Sequence, residues 1–225
     1  MSEKIIEIRK LTYVYPDGTK ALDKINLSVI EGESIALVGR NGAGKSTLLL
    51  HLNGLLSPTK GSVFFKGESL SEKNIHEVRA QVGILFQDPD DQLFMPTVYE
   101  DVAFGPKNMG LTQEEASKRT EKALSLVGLS GFEKRSPHHL SFGERKRAAI
   151  ATILSMNPKV LLLDEPTLGL DPWVKKEFTE LLKNLMREHT TILATHDLEL
   201  AQTSDRVYLM DRGRLQELED KRIRI

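Results

Sequence analysis

Eight residues constrain this chain more than any others: Gly39-Arg40-Asn41-Gly42-Ala43-Gly44-Lys45-Ser46, a match to G-x-x-x-x-G-K-[ST]. They follow Ser34 to Val38, an apolar run of strand length, and precede Ser46 to Leu56, whose apolar residues fall at helical spacing. A strand, a tight loop and a helix in that order open an α/β unit. Glycines let the loop curl until successive N–H groups point at one anion, and the helix N-terminus adds partial positive charge. In such a loop Lys45 reaches the β and γ phosphates of a nucleotide, and Ser46 is placed to ligate Mg²⁺. The plainer alternative, a glycine turn with an incidental lysine, leaves the flanking strand and helix without a reason.

A phosphate loop needs an acidic partner, and Val160-Leu161-Leu162-Leu163-Asp164-Glu165 supplies one: a buried-type strand that ends in neighbouring carboxylates. Alternation along a strand points the two acids differently. Asp164 is then placed for the Mg²⁺ shell, and Glu165 for accepting a proton from, or orienting, an attacking water.

The rest of the chain reads as one domain over residues 1–225. Extended patterning at Ile5 to Tyr15 and Ile25 to Val29, separated by the turn signal Pro16-Asp17-Gly18, predicts an antiparallel edge layer. Further strands are expected at Ser62 to Phe65, Gln81 to Phe86, Val160 to Leu163, Thr190 to Ala194 and Arg206 to Met210. From about 87 to 158 strand signals vanish and two capping boxes appear, Thr97 with Glu100 and Thr112 with Glu115, which predicts an inserted helical lobe. The fold expected is therefore α/β: a P-loop NTPase core with a mostly parallel sheet, an antiparallel β edge layer and a helical insertion. The basic end, Lys221 to Ile225, reads as a solvated tail.

Composition narrows the partners. Lys and Arg number 31 against 32 Asp and Glu, a net charge of -1 that gives no general pull toward nucleic acid or acidic lipid. No apolar run approaches the roughly 18 residues a membrane helix needs, so a membrane role has to come through another chain. The N-terminal residues lead straight into strand patterning without the apolar stretch of a signal peptide. With no cysteine, disulfides and thiolate metal sites are excluded.

Further along lie Leu140-Ser141-Phe142-Gly143-Glu144, the basic helix Arg145 to Ala151, Asp164-Glu165-Pro166-Thr167, Gly169-Leu170-Asp171 and Ala194-Thr195-His196-Asp197. Together with the phosphate loop and Gln87, these resemble the ATP-binding cassette (ABC) ATPases, in the family's order and over nearly the whole chain. Alone, Ser141 and Glu144 form a capping box whose exposed N–H groups also make an anion site. The resemblance implies more: Ser141, Gly143, Glu144 and Asp171 serve the nucleotide held by a second protomer. Phe142 and Glu144 stand where the family's signature more often has glycine and glutamine.

By the same likeness Tyr15 stacks on adenine, and Gln87 senses Mg²⁺ and the water. His196 contacts the γ-phosphate. The nucleotide set becomes Tyr15, Gly39, Asn41, Gly42, Ala43, Gly44, Lys45, Ser46 and Thr47; the Mg²⁺ set becomes Ser46, Gln87 and Asp164; and Glu165, His196 and Gln87 become the catalytic group. Tyr15 has a plainer reading as a half-buried strand aromatic, Asp171 as an ordinary N-cap before Pro172, and His196 as a strand-end histidine.

The stretch from Phe86 through Phe94 and on to Pro106 resembles the ATPases of energy-coupling factor importers, and Leu140 to Arg147 their cobalt/nickel branch. That likeness implies ATP and Mg²⁺ as ligands, a second ABC protomer (a copy or a paralogue), a transmembrane coupling subunit, a substrate-binding membrane subunit, no nucleic acid, and a place on the cytoplasmic face of the membrane. It offers Asp88, Asp90 and Asp91 as acidic and Leu93 and Phe94 as apolar contacts for the coupling subunit. A vitamin importer, or a soluble ABC ATPase serving a protein-assembly scaffold, would share every nucleotide residue.

Overall fold

The computed structural model describes residues 3–219, and the basic tail at 221–225 lies outside them. Strand β1 (Lys4–Val14) turns back at Pro16–Gly18 to pair antiparallel with β2 (Lys20–Ile30). The turn is closed by Tyr15 N–H to Thr19 O, 2.9 Å, and Gly18 N–H to Tyr15 O, 2.9 Å. After β3 (Ser34–Val38) and helix α1 (Lys45–Leu52), β4 (Lys60–Phe65) joins the other edge of β1 and carries the short β5 (Glu68–Ser69). This is the expected antiparallel layer.

The central sheet is built from β3, β6 (Val82–Leu85), β7 (Val160–Asp164), β8 (Thr190–Ala194), β9 (Arg206–Asp211) and β10 (Arg214–Glu217), in the order β10-β9-β3-β8-β7-β6. All neighbours are parallel except β10, which runs antiparallel to β9. Strands buried on both faces read as near-continuous apolar runs, and β3 and β7, buried throughout, are apolar except at Ser34 and Asp164 at their ends. Alternate side chains divide between two cores. Ala36, Val38, Leu161, Leu163 and Leu193 pack on one face with α5 (Phe142–Leu154) and α6 (Pro172–Glu188). Ile35, Leu37, Val160, Leu162 and Ile192 pack on the other with α1 and the antiparallel layer. The sheet is thus held between helices on one side and a second sheet on the other.

Between β6 and β7 the chain is helical: α3 (Val98–Asn108), α4 (Gln113–Leu126) and α5 pack on one another, and α5 also reaches β6. The α4 capping box is complete, with Thr112 N–H to Glu115 Oε2 at 3.0 Å and Glu115 N–H to Thr112 Oγ1 at 3.3 Å. At α3 only half forms. Glu100 N–H reaches Thr97 Oγ1, but the Glu100 carboxylate takes the Thr97 hydroxyl at 2.7 Å rather than its N–H.

Three local expectations are corrected. Helix α1 stops at Leu52 rather than Leu56, because Asn53 turns its amide onto Val82 O and Gly54 takes a left-handed φ of 70°. Gln81 closes helix α2 (Ile75–Gln81) rather than opening a strand. Leu93 is buried in the core and offers nothing to a partner, whereas Phe94 is 65% exposed, edge-on to Phe104 at 5.0 Å. Asp88 and Asp90 also have local work: Asp88 caps the turn at Pro89–Asp91, and Asp90 pairs with Arg145 at 3.0 Å. Helix α7 (Leu198–Ala201) completes the set, and among the described residues no helix is long and apolar enough to cross a membrane.

Candidate nucleotide site

The loop from Gly39 to Gly44 leaves the end of β3 and enters α1, at the same end of the sheet as Asp164 and Glu165 on β7 and His196 after β8. Parallel strands bring their C-terminal ends to one edge, so residues more than a hundred positions apart in the sequence meet there. The result is a cleft of about 790 Å³ lined by the loop, Tyr15, Gln87, Glu165, Leu168 and His196. That volume suits a nucleotide. Thr19, Lys20 and Ala21 also line it; they carry no motif, and only the β1–β2 hairpin turns them toward the loop.

Lys45 is 6% exposed, and its ammonium donates to Gly39 O at 2.8 Å and lies 3.3 Å from Glu165 Oε1. Glu165, 5% exposed, holds the other oxygen against His196: Oε2 accepts from the His196 backbone N–H at 3.2 Å and lies 2.8 Å from Nδ1. One carboxylate therefore joins the phosphate-loop lysine to the histidine of the next strand. Its backbone sits at φ 42°, a left-handed conformation that a non-glycine residue adopts at a cost of about 1–3 kcal/mol, and such strain clusters at working sites. Glu165 N–H is fixed on Ala194 O at 2.9 Å, which helps hold it there.

Asp164 is 7% exposed, and its Oδ1 is buried without a hydrogen-bond partner. Burial pushes its carboxyl above the usual range, Glu165 adding to the effect, while the Ser46 hydroxyl and the Lys45 and Lys146 ammonium groups pull it back. A hard cation beside Asp164 and Ser46 would satisfy that orphan oxygen, and Mg²⁺ favours such sparse oxygen donors completed by phosphate. The donor set therefore fits Mg²⁺.

Tyr15 is half-buried just past β1, with its hydroxyl 2.9 Å from Thr47 Oγ1 and its ring edge-on to Tyr13. Gly39 approaches the neighbouring strand so closely that an added Cβ would stand 2.2 Å from Met210 O, a backbone atom. Gly39→Ala is therefore expected to lower stability by about 1–3 kcal/mol by overpacking, read as a lower urea midpoint at unchanged slope.

Ser141, Gly143, Glu144 and Asp171 do not line this cleft. Ser141 and Glu144 complete a capping box at the start of α5, with Ser141 N–H to Glu144 Oε2 at 2.7 Å, and Asp171 caps α6 by accepting from Trp173 and Val174 N–H. The two helix starts abut, since a Cβ on Gly143 would meet Val174 Cγ1 at 2.6 Å. Phe142 packs against Gly169, in the loop between Glu165 and Asp171, where an added Cβ would lie 2.9 Å from its ring.

A further residue of the site that no motif marks is Lys146. Lys146 is 0% exposed, and its ammonium donates to Gln87 O at 2.8 Å and Glu165 O at 3.2 Å. Burial pushes it down to about 8, against the pull of the Asp88, Asp164 and Glu165 carboxylates. Its signal is spacing: residues 143, 146, 150 and 153 recur at helical intervals among the buried residues of α5, although the letters around Lys146 read as a basic surface.

A phosphate loop at the end of a parallel strand, facing a strand-end acid pair, together with a capped helix after Ser141, defines an ABC-type ATPase. The family described as ABC transporter matches residues 22–168, and the chain belongs to it. It is 52% identical over 215 residues to the energy-coupling factor transporter ATP-binding protein EcfA of Methanococcus maripaludis, covering 94% of this chain and 77% of that one. The structure of cbiO1 from Clostridium perfringens, part of the ABC transporter complex cbiONQ, superposes with a TM-score of 0.85 at 44% identity over 95% of this chain and 87% of that one. The ATP-binding cassette MJ0796, solved as a dimer bound to ADP and Pi, superposes with a TM-score of 0.85 at 29% identity over 96% of this chain and 99% of that one.

Proposed function

We propose that this chain is the ATP-hydrolysing motor of an energy-coupling factor importer for cobalt or nickel ions, working as a dimer on the cytoplasmic face of the membrane with separate transmembrane subunits. The observation that carries the motor reading is the Glu165 carboxylate, held between Lys45 at 3.3 Å and His196 at 2.8 Å in the mouth of the loop cleft. The metal branch rests on the resemblance of Leu140 to Arg147 and on the likeness to cbiO1.

In this reading the N–H groups from Gly39 to Thr47 wrap the phosphates, and Tyr15 packs on the base. Phosphate oxygens compete with Glu165 for the Lys45 ammonium, which frees the carboxylate to orient water and take its proton. His196 holds the other side of that carboxylate and faces the γ-phosphate. Ser46, Asp164 and Gln87 would hold Mg²⁺, which supplies charge neutralisation on the phosphates. Ser141, Gly143, Glu144 and Asp171, at abutting helix starts outside the cleft, serve the nucleotide of the opposite protomer. ATP then joins two chains and its hydrolysis releases them, the differential binding that a work cycle requires. Residues 87–158 form the lobe inserted into the single ATPase domain, and this lobe offers Phe94 to a transmembrane coupling subunit, beside a substrate-binding membrane subunit.

The test is to tag the chain, extract it from native membranes in mild detergent with Mg-ATP, and identify by mass spectrometry what copurifies. Polytopic membrane proteins are expected, with metal-dependent uptake lost when the gene is deleted. Recovery of soluble assembly proteins alone contradicts the importer reading.

A further inference from the structure

The buried ammonium of Lys146 joins three parts of the molecule that are far apart in sequence. It rises from α5, donates to the carbonyl of Gln87 just beyond β6, and donates to the carbonyl of Glu165 just beyond β7. Its Nζ lies 5.6 Å from the centre of the Phe142 ring, and that ring lies on Gly169 in the loop following Glu165. The side chain is completely enclosed.

Burying a cation among backbone carbonyls costs free energy that an apolar side chain of similar length would not, so packing alone gives no reason for lysine here. Its donors do something a methyl group cannot. The ammonium sets the separation of two backbone turns, one presenting the Gln87 side chain and the other presenting the Glu165 carboxylate, and it anchors the latter at a residue held with φ 42°. The geometry points to Lys146 as a positioning residue for hydrolysis, fixing Gln87 and Glu165 relative to each other without touching nucleotide itself. This rests on the reading of Glu165 as the group that handles the attacking water.

A residue of this kind acts on the transition state more than on the bound nucleotide, so its loss lowers kcat and kcat/KM together and leaves KM in place. Small displacements of catalytic groups cost up to about 100-fold in rate. Lys146→Met, which keeps the stem and removes the donors, is expected to lower kcat by about 10- to 100-fold with KM for Mg-ATP within about threefold of the parent. Lys146→Gln keeps N–H donors on a stem one bond shorter, and is expected to recover part of that loss. Steady-state phosphate release and binding of a fluorescent ATP analogue, measured on the full chain, read both quantities. A Met chain with parental kcat overturns the inference, as does one whose nucleotide affinity falls as far as its kcat. If the Met chain does not fold, Lys146→Leu, which also lacks donors, takes its place: a lowered kcat at parental KM supports the inference and a parental kcat overturns it. Glu165→Gln is run alongside. Parental turnover in that chain overturns the reading of Glu165 beneath the inference, an outcome distinct from either result at Lys146.

Discussion

Glu165→Gln is expected to reduce steady-state ATP turnover by about 10²–10⁴-fold, the range a positioned general base contributes. The substitution is nearly isosteric at a site 5% exposed, so the packing around it persists. The amide oxygen can still accept from the His196 N–H that now bonds Oε2. What is lost is the negative charge and its basicity. The amide also cannot form the ion pair that Lys45 makes with Oε1 at 3.3 Å, so phosphate meets less competition for the ammonium. Nucleotide affinity in the Gln chain is therefore expected to equal or exceed that of the parent while phosphate release nearly stops. A fluorescent ATP analogue and a phosphate-release assay separate the two, and parental turnover would remove Glu165 from the chemistry.

Lys45→Met has its largest effect on binding instead. The Lys45 ammonium now satisfies itself on Gly39 O at 2.8 Å, Arg40 O at 3.4 Å and Glu165. These contacts hold it at the centre of the loop without a side-chain search. A charge-assisted hydrogen bond to phosphate contributes about 1.5–3 kcal/mol, so ATP affinity is expected to fall about 10- to 100-fold by titration. Without nucleotide the same change takes from the buried Glu165 carboxylate the ammonium 3.3 Å away, and removing one member of a buried pair costs as much as about 3–5 kcal/mol. The double change Lys45→Met with Glu165→Gln should recover much of that stability, because no unpaired charge remains; thermal melting of the four chains gives the coupling. Additive losses would show that the contact between Lys45 and Glu165 carries no weight.

Much of this was legible in the letters because the phosphate loop, the acid pair and His196 all stand at or beside strand ends, where apolar runs stop abruptly. Once the strands are read as parallel, their C-terminal ends must share an edge, and the meeting of Lys45, Glu165 and His196 follows. Other features depended on tertiary structure. Only helical spacing marks Lys146 as inward-facing between two basic neighbours, and nothing in the order of letters says that Phe142 lies on Gly169. Leu93 and Phe94 are adjacent and both apolar, yet one is core and the other surface, because only the fold decides which face of the turn after Asp91 is covered. Gln81 belongs to α2 but reads as strand for a related reason: a seven-residue helix without a side-chain cap hydrogen bond leaves little trace beside the strong apolar run of β6.

In the proposed dimer two chains close on ATP, each completing the other's site with Ser141 and Asp171. The most direct measurement is the mass of the Glu165→Gln chain in solution, by analytical ultracentrifugation with and without saturating Mg-ATP. A dimer is expected to form with Mg-ATP and to return to monomer when nucleotide is removed, and no longer to form when Ser141→Arg is added. A Glu165→Gln chain that binds Mg-ATP and stays monomeric would contradict it.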